Sequence, residues 1–334
     1  MVPLIPAPGL TVQLVEEREN PSAAYYLLPV LAAFGATVVR RSLAEVPPAG
    51  ELAGTMVVLD RYLSGPWCRA IAAVRAKLAG LAYFMDDDLL DPSAAVGLPW
   101  RYRWKLYRLA GRYAGWLRRM GAAFWVSTPW LAAKYAASAP RLVPPAPLPE
   151  RDATGAEGRG RCLFYHGTAS HRAEIAWLRP LVAGLVADAA DLEVELVGGR
   201  AVARRYAGLP RVTVVRPLSW PDYCRFGRWP GRRVGLAPQL PTAFNAARSH
   251  VKFFDITRSG AVGVYAAGSA CAAVVTDGRD GLVAPMETAA WQTAVRRLLA
   301  DEPRRLAMLA AARETCARLS LEARAAWGLD RVMG

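Results

Sequence analysis

Short runs of apolar and β-branched residues alternate with helix-forming segments along most of the chain, and this alternation limits the folds it can adopt. In the first half, the predicted strands are residues 10–15, 36–39, 56–60, 81–85 and 124–127. Strands that alternate with helices at this interval favour parallel sheets with crossover helices. We therefore predict an α/β fold of doubly wound parallel sheets, with ligands bound beyond the carboxyl ends of the strands.

The same alternation resumes in the second half, after a stretch rich in Pro. A length of 334 residues accommodates two domains of about 150 residues each. We predict a first domain over residues 1–142, a Pro-rich linker over 143–160 and a second domain over 161–318. Residues 319–334 are treated as a separate C-terminal segment.

One stretch of the second half, residues 242–265 (TAFNAARSHVKFFDITRSGAVGVY), has the pattern of a loop, a helix and a strand. Asn245 helps to close the loop, and Ser249 is the predicted helix cap. Arg248 and Lys252 are four residues apart, so we expect them on one helical face near the N-terminus, where a phosphate would be stabilised. Asp255 follows at a distance that suits the hydroxyls of a ribose.

A second phosphate-binding element is predicted where the strand over residues 161–165 ends. His166, Gly167 and Thr168 form a small-residue turn whose backbone N–H groups can face a phosphate, and Arg172 adds a positive charge on the next helix. Gly198, after the strand over residues 192–197, would permit close approach of a base or ribose. Turns of this kind are also common as purely structural junctions, and a lone His after a strand is often only a hydrogen-bonding strut.

Charge and cysteine content narrow the class of protein. The formal net charge of +14 implies an anionic partner, and nucleotides, nucleic acids and acidic lipid surfaces all qualify. No specific nucleic-acid motif is present. The five cysteines are scattered without CxxC spacing, which favours a reduced cytoplasm over a disulfide framework or a zinc site. We read no signal peptide, and the uncharged stretches 20–39 and 259–276 are interrupted by Pro or Gly, which argues against membrane spans.

Residues 98–121 (LPWRYRWKLYRLAGRYAGWLRRMG) are predicted to form an aromatic and basic helix that contains no acidic residue. An apolar stripe and a basic stripe lie about 100° apart on this helix. Residues 101–119 could rest on an anionic membrane surface, which would make the protein peripheral at the inner face of the membrane. The alternative is a domain helix whose apolar stripe packs on the sheet while its arginines are solvated.

Three consecutive acidic residues, Asp86, Asp87 and Asp88, follow the predicted strand over residues 81–85. Converging carboxylates can bind a metal ion, but they can also cap the next turn. We favour the structural reading and predict no metal site.

The order FNxxRSxxKFFD, followed by a Gly, a short apolar strand and the run VVTDGRDGLVAP (residues 274–285), resembles the donor-binding half of GT-B glycosyltransferases of family four. The resemblance covers residues 160–312 and is looser before them. It implies two Rossmann-like domains facing a cleft, with a nucleotide sugar bound by the second. It also implies that residues 319–334 form a helix that crosses back to the first domain. The acceptor would be a glycan, a lipid-linked molecule or a small molecule, as in cell-surface polysaccharide biosynthesis.

The resemblance also implies roles for individual residues. Arg248 and Lys252 would contact the diphosphate and neutralise its charge as it leaves, while Asp255 would hold the ribose. No metal or other cofactor is implied, since the nucleotide sugar is itself the substrate. Many family members carry a similar acidic run where Asp86–Asp88 stand, so the resemblance implies contact with the acceptor as their functional alternative. Ala247 stands where the family often has a Glu that touches the transferred sugar. A non-catalytic GT-B-like scaffold that has lost part of the donor site is therefore the alternative.

Overall fold

The computed structural model describes residues 9–147, 161–167 and 169–327. Contacts divide these residues into two compact units. The first contains residues 9–147, 246–249 and 319–327, and the second contains residues 161–167, 169–245 and 250–318. Of the predicted linker, residues 143–147 group with the first unit, and 148–160 lie outside the described residues.

The first unit is built on one sheet. Its strands are β1 (Thr11–Glu16), β2 (Thr37–Ser42), β3 (Met56–Asp60), β4 (Gly80–Met85), β5 (Ala123–Val126) and β6 (Arg141–Leu142). All are parallel, in the order β2-β1-β3-β4-β5-β6. Its helices are α1 (Leu28–Ala33), α2 (Ala49–Leu52), α3 (Gly65–Val74), α4 (Trp100–Leu109), α5 (Ala114–Arg119) and α6 (Pro129–Lys134). A π-helical turn (Ala23–Leu27) precedes α1, and 3-10 turns cover Arg75–Lys77, Gly111–Tyr113 and Ala136–Ser138.

The second unit repeats this architecture. Its strands are β7 (Arg161–His166), β8 (Leu192–Val197), β9 (Val212–Val215), β10 (Arg232–Ala237), β11 (Val262–Ala266) and β12 (Leu282–Ala284). They form a parallel sheet in the order β12-β11-β10-β7-β8-β9. A 3-10 turn (Ala169–His171) leads into α7 (Arg172–Asp188), and α8 (Arg200–Tyr206), α9 (Trp220–Gly227), α10 (Ala243–Ala246), α11 (Val251–Arg258), α12 (Thr288–Ala300) and α13 (Glu302–Ala326) follow. Within the described parts of both units, no helix is apolar over a long enough stretch to cross a bilayer.

The central strands explain why the sequence folds into these sheets. Every residue of β3 (MVVLD) and of β4 (GLAYFM) is buried. Near-continuous apolar runs of this kind are typical of parallel strands covered by helices on both faces. In the second unit, Leu163, Val234 and Val264 from neighbouring strands form one core with Leu178 of α7 and Trp291 of α12. The doubly wound α/β fold predicted from the sequence is confirmed.

Strand order also locates the ligand edge of each sheet. In the first unit the chain leaves β1 toward β2 on one side and returns toward β3 on the other, so the order reverses between β1 and β3. In the second unit the corresponding reversal lies between β7 and β10. Loops at the carboxyl ends of such strand pairs diverge and leave a crevice, which is where open α/β sheets bind ligands.

The single helix predicted over residues 98–121 is wrong. The chain instead forms α4 and α5 with a 3-10 turn between them, and the break falls at Ala110 (φ −135°, ψ −67°). At this break, next to Gly111, the carbonyl of Leu109 accepts a 2.7 Å hydrogen bond from the backbone N–H of Leu63. The amide of Tyr113 bonds to the carbonyl of Ala110 instead, in the 3-10 pattern.

Candidate functional site

Lys252 connects α11 to the end of β7 in the second unit. Its ammonium group donates a hydrogen bond to the carbonyl oxygen of His166, the last residue of β7. The same group lies 5.4 Å from the centre of the Tyr165 ring, within the range of a cation–π contact. A positive charge is thereby held at the switch point between β7 and β10, the edge where a ligand is expected.

The side chain of His166 belongs to a buried network. Its Nε2 lies 2.9 Å from Glu195 Oε1, and its Nδ1 lies 3.2 Å from the hydroxyl of Tyr223. Glu195 also accepts a 2.6 Å hydrogen bond from Nε of the buried Arg232. Burial lowers the pKa of His166, and the bond to Glu195 opposes this only in part. The imidazole is therefore a neutral strut, and the backbone of His166 faces the site.

Glycine is sterically required at two of the predicted positions. A Cβ at Gly167 would lie 2.7 Å from the ring of Tyr165, and one at Gly198 would lie 2.6 Å from Val202. Gly167 therefore keeps the β7 turn tight next to Lys252. Gly198 is explained by packing of the turn between β8 and α8. Thr168, the third residue of the predicted phosphate turn, lies outside the described residues.

Asn245 anchors the loop before α11. Its side-chain amide donates to Glu174 Oε1 at 2.6 Å and to the carbonyl of Leu240 at 2.8 Å. Glu174 also accepts a bond from the backbone N–H of Leu240 at 3.3 Å. Asn245 is 4% exposed and Glu174 2%, so the pair ties the 240–245 loop to the first turn of α7. Arg172, at the start of α7, is exposed to solvent.

Asp255 lies on α11, one turn after Lys252. Its carboxylate accepts a 3.0 Å hydrogen bond from Arg258, and that guanidinium lies 5.5 Å from the Trp220 ring. The negative charge of Asp255 adds to burial in raising the pKa of Tyr223, whose hydroxyl meets His166. The structure therefore brings Asp255, His166, Gly167 and Lys252 into one neighbourhood.

Arg248 does not lie on the helix and Ser249 does not cap it, so both predictions from the sequence are wrong. Helix α11 begins at Val251, and His250 occupies the cap position without a side-chain cap bond. Arg248 and Lys252 therefore do not share a helical face. Segment 246–249 groups with the first unit, where Arg248 Nε lies 3.8 Å from Asp87 and Ser249 shares a hydrogen bond with Tyr26. The carbonyl of Ala247 is also engaged, accepting a 3.2 Å bond from Thr128.

A buried polar cluster occupies the switch point of the first unit. Asn20 donates to Asp60 Oδ2 at 2.7 Å and to Glu16 Oε2 at 3.0 Å. Asp60 is 1% exposed, and its Oδ1 has no hydrogen-bond partner among the described residues. Burial raises the pKa of Asp60 to about 7, and its bond from Asn20 only partly offsets this. The sequence analysis missed Asp60, although it ends an apolar strand at the expected ligand edge.

The Asp86–Asp88 run is engaged by cations. Arg61 contacts both Asp86 and Asp87 at 3.1 Å, and Lys134 contacts Asp88 at 2.5 Å. Arg61 follows β3 in the left-handed region (φ 65°), a conformation that costs energy for a residue with a side chain. Among the described residues, no group of three or more His, Cys, Asp or Glu side chains is arranged to hold a metal ion. Strained backbone at a ligand edge is typical of a functional region.

The aromatic and basic segment is divided between buried and exposed side chains. Leu106 and Tyr113 of the apolar stripe are buried, as expected for a helix packed on its domain. By contrast, Trp100 is 70% exposed and Trp104 58%, and the arginines of α4 are also exposed. The aromatic surface of α4 thus lies largely outside the core of the unit.

Comparison with known proteins defines the fold. No protein-family model matches the chain, and a search of curated proteins gives no significant match. A sucrose-phosphate synthase from Thermosynechococcus elongatus has a TM-score of 0.60 at 15% identity, covering 97% of this chain and 98% of that one. WaaG, a glycosyltransferase involved in lipopolysaccharide biosynthesis, has a TM-score of 0.60 at 15% identity, covering 92% and 95%. Anabaena HepE, in complex with UDP and glucose, has a TM-score of 0.57 at 10% identity, covering 94% and 97%.

The chain therefore has the GT-B fold of these glycosyltransferases, with one six-stranded parallel sheet in each Rossmann-like unit. This agrees with the fold implied by the sequence resemblance. At 10–15% identity the likeness defines the architecture, and the case for an activity depends on the residues at the ligand edges.

Proposed function

We propose that the protein is a glycosyltransferase that transfers a sugar, in the simplest case a hexose, from a nucleotide-sugar donor to an acceptor. The observation that carries this proposal is the position of Lys252. Its ammonium lies beside the His166–Gly167 backbone, at the switch point of a Rossmann-like sheet. A fixed cation next to a glycine turn suits a diphosphate, which carries most of the charge of a nucleotide sugar.

The proposed mechanism is electrostatic. As the bond between the sugar and the diphosphate breaks, negative charge builds on the leaving group, and a preorganised cation stabilises that charge. Lys252 supplies one cation, and we assign Arg248 as a second and Arg172 as a further contact to the phosphates. Asp255 would bind the ribose hydroxyls. We propose that no metal or other cofactor takes part, so chelation by EDTA should leave the turnover rate unchanged.

UDP-linked sugars are the first donors to test. HepE was solved with UDP and glucose, and the pneumococcal O-GlcNAc transferase GtfA with UDP and GlcNAc. Calorimetry with a panel of nucleotide sugars should give a Kd for at least one donor, and that donor should be converted to free nucleoside diphosphate when the acceptor is present. A scaffold that has lost catalysis would bind without releasing the diphosphate. Failure to bind any member of the panel would contradict the proposal.

We further propose that the protein acts on a glycan or lipid-linked acceptor, as in cell-surface polysaccharide biosynthesis, while docked on the inner face of the membrane. The exposed rings of Trp100 and Trp104 and the net charge of +14 support docking on an anionic surface. In a flotation assay, the protein should rise with vesicles containing phosphatidylglycerol and not with pure phosphatidylcholine. The competing hypothesis is that the basic surface binds nucleic acid. Filter binding of nucleic acid across a salt titration tests that hypothesis.

A further inference from the structure

A groove with a volume of about 470 Å³ lies on the first unit, where the loop after β4 meets α4. Most of its lining is apolar and comes from Leu89, Pro92, Ala95, Trp100, Trp104 and Tyr107. None of the residues assigned above to the nucleotide sugar lines this groove. Its volume lies in the range of about 300–1,000 Å³ typical of small-molecule sites.

Two small residues keep the groove open. Ala95 lines it and is 3% exposed, and Gly111 lines it from the turn between α4 and α5. A Cβ added at Gly111 would lie 3.8 Å from the Leu89 carbonyl oxygen and 3.8 Å from the Tyr107 ring. The carbonyl oxygen of Leu90 is also 3.8 Å away, and all three are ordinary van der Waals distances, so Ala fits at Gly111. A larger side chain would compete for the space that Gly111 lines.

The surroundings of the groove are positively charged. Arg103 lines it, and Arg101 and Arg108 are exposed on the same helix. Residues 98–121 contain no acidic side chain. The one acid in the lining, Asp91, is paired with Lys134 at 2.5 Å. An apolar ligand with an anionic head would therefore find complementary charge at the rim.

We infer that this groove holds one hydrocarbon chain of an anionic membrane lipid. The chain would lie on Leu89, Pro92 and Ala95, while Trp100 and Trp104 sit at the depth of the headgroups, where amphipathic rings are favoured. Arg103 and its neighbours would contact the lipid phosphate. The inference deepens the proposed membrane docking and rests on it for the source of the lipid. It is independent of nucleotide-sugar turnover.

Soluble single-chain lipid tests the groove without a bilayer. Lyso-phosphatidylglycerol, kept below its critical micelle concentration, should bind saturably, and a brominated chain should quench tryptophan fluorescence. Each additional buried methylene should raise affinity, so lengthening the chain by two carbons should strengthen binding by roughly tenfold until the groove is full. An affinity that does not depend on chain length would overturn the inference, since headgroup attraction alone gives that result.

A matched pair of variants at one position tests the location. Gly111→Phe should fill the groove and abolish saturable binding, whereas Gly111→Ala should bind as the wild type does. Trp104→Ala should reduce the bromine quenching, and Trp229→Ala should not, because Trp229 is equally exposed (63%) but belongs to the second unit. If Gly111→Phe fails to fold, the dependence of wild-type affinity on chain length still decides whether the protein binds the hydrocarbon chain. Unchanged binding by folded Gly111→Phe would place the lipid elsewhere.

Charge is tested by replacing the three arginines of α4, Arg101, Arg103 and Arg108, with Gln. Each is expected to contribute roughly fivefold to the affinity for anionic lipid at low salt. The matched control replaces three exposed arginines of α8: Arg200, Arg204 and Arg205. Lyso-phosphatidylcholine of equal chain length should bind the wild type more weakly than the anionic lipid, and equal affinity would overturn the assigned headgroup.

The outcomes separate this inference from the proposed function. Vesicle flotation reports membrane docking, lysolipid titration reports the groove, and calorimetry with nucleotide sugars reports the donor site, all on the same preparations. Binding of an acidic amphipathic peptide in the groove, with no binding of lysolipid, would assign it to a protein partner and overturn the inference. Nucleotide binding should be the same in Gly111→Phe and in the wild type.

Discussion

The two units share a topology but differ in the chemistry of their switch points. In the second unit, a lysine and a glycine turn meet at the end of β7, where Lys252 donates to the carbonyl of His166. In the first unit, Asp60, Asp86 and Asp87 gather near the end of β3, with Arg61 paired to two of them. A cationic glycine edge suits a phosphate, whereas carboxylates and amides suit hydroxyl groups. Strand order therefore indicates the edge of each sheet at which a ligand is expected, and the side chains there indicate which chemical groups it would suit.

The largest expected effect comes from removing the charge that distinguishes the second unit. If Lys252 has the role proposed above, Lys252→Ala should lower kcat/KM for the nucleotide sugar by about 100- to 1,000-fold, because a preorganised cation for the leaving diphosphate is lost. Steady-state kinetics and calorimetry with the nucleoside diphosphate measure this loss. Lys252→Arg keeps the charge and should recover part of it. The control is Lys77→Ala, at an exposed site of the first unit, which should have the activity of the wild type. If Lys252→Ala also has wild-type activity, Lys252 takes no part in the mechanism.

The free energy of unfolding should depend on pH because the carboxyl group of Asp60, in the first unit, is buried. Burial raises the pKa of Asp60 from 3.8 to about 7 in the folded state, so the folded protein holds this proton more tightly than the unfolded chain. The resulting stability is fully present below about pH 4 and is lost as pH rises through about 7. Ionisation of Asp60 should then cost up to about 4 kcal/mol by pH 8.

Asp60→Asn removes this titration. Its free energy of unfolding should exceed that of the wild type at pH 8, and the difference should shrink as pH falls until the two converge below about pH 4, as measured by urea denaturation. Asp191→Asn, at a fully exposed carboxylate paired with Arg161, is the control and should leave the pH dependence as it is. A wild-type stability that does not fall between pH 5 and pH 8 would show that Asp60 is already ionised in the folded protein.

Substitution of Glu195 tests whether the end of β7, next to Lys252, depends for its stability on the buried network of His166, Glu195 and Arg232. It bonds to both His166 and Arg232, and although burial opposes the effect, these bonds hold its pKa below the usual range. Glu195→Gln leaves the buried guanidinium of Arg232 without its carboxylate, at a cost of about 3 kcal/mol of stability. Thermal and urea unfolding measure this cost. Glu193→Gln, at an exposed position on the same strand, should be neutral, and a neutral Glu195→Gln would mean that Arg232 is stabilised by backbone carbonyls alone.

The fold could be predicted from the sequence because its signal is local. Strands such as Met56–Asp60 are short apolar runs between helical segments, and burial on both faces produces that pattern. The break at Ala110 was missed, although Gly111 beside it weakens a helix locally. The other feature of the break, the bond between Leu109 and Leu63, joins residues that are far apart in sequence. Local periodicity carries no information about a carbonyl engaged by a distant amide.

The candidate site was predictable in part for the same reason. Lys252 and Gly167 are local features of a helix start and a strand end, and the structure places them together through the carbonyl of His166. The helical face assigned to Arg248 was wrong, because α11 begins only at Val251. Glu174 and Asp60 were missed because their significance comes from burial, and burial of a single acidic residue depends on tertiary packing rather than on local pattern.

The smallest expected effect concerns the loop over residues 240–245, which precedes the helix that carries Lys252. Asn245→Ala removes the donor that meets Glu174 at 2.6 Å and leaves that buried carboxylate poorly paired, at a cost of about 2 kcal/mol. The loop before Lys252 should loosen, so the KM for the nucleotide sugar should rise while kcat changes less. Thr293→Ala, on the exposed face of α12, is the control. A fall in donor affinity without a loss of stability would instead show that Asn245 contacts the nucleotide directly. The ligand edges of the two units would then differ in the groups that bind ligand as well as in charge.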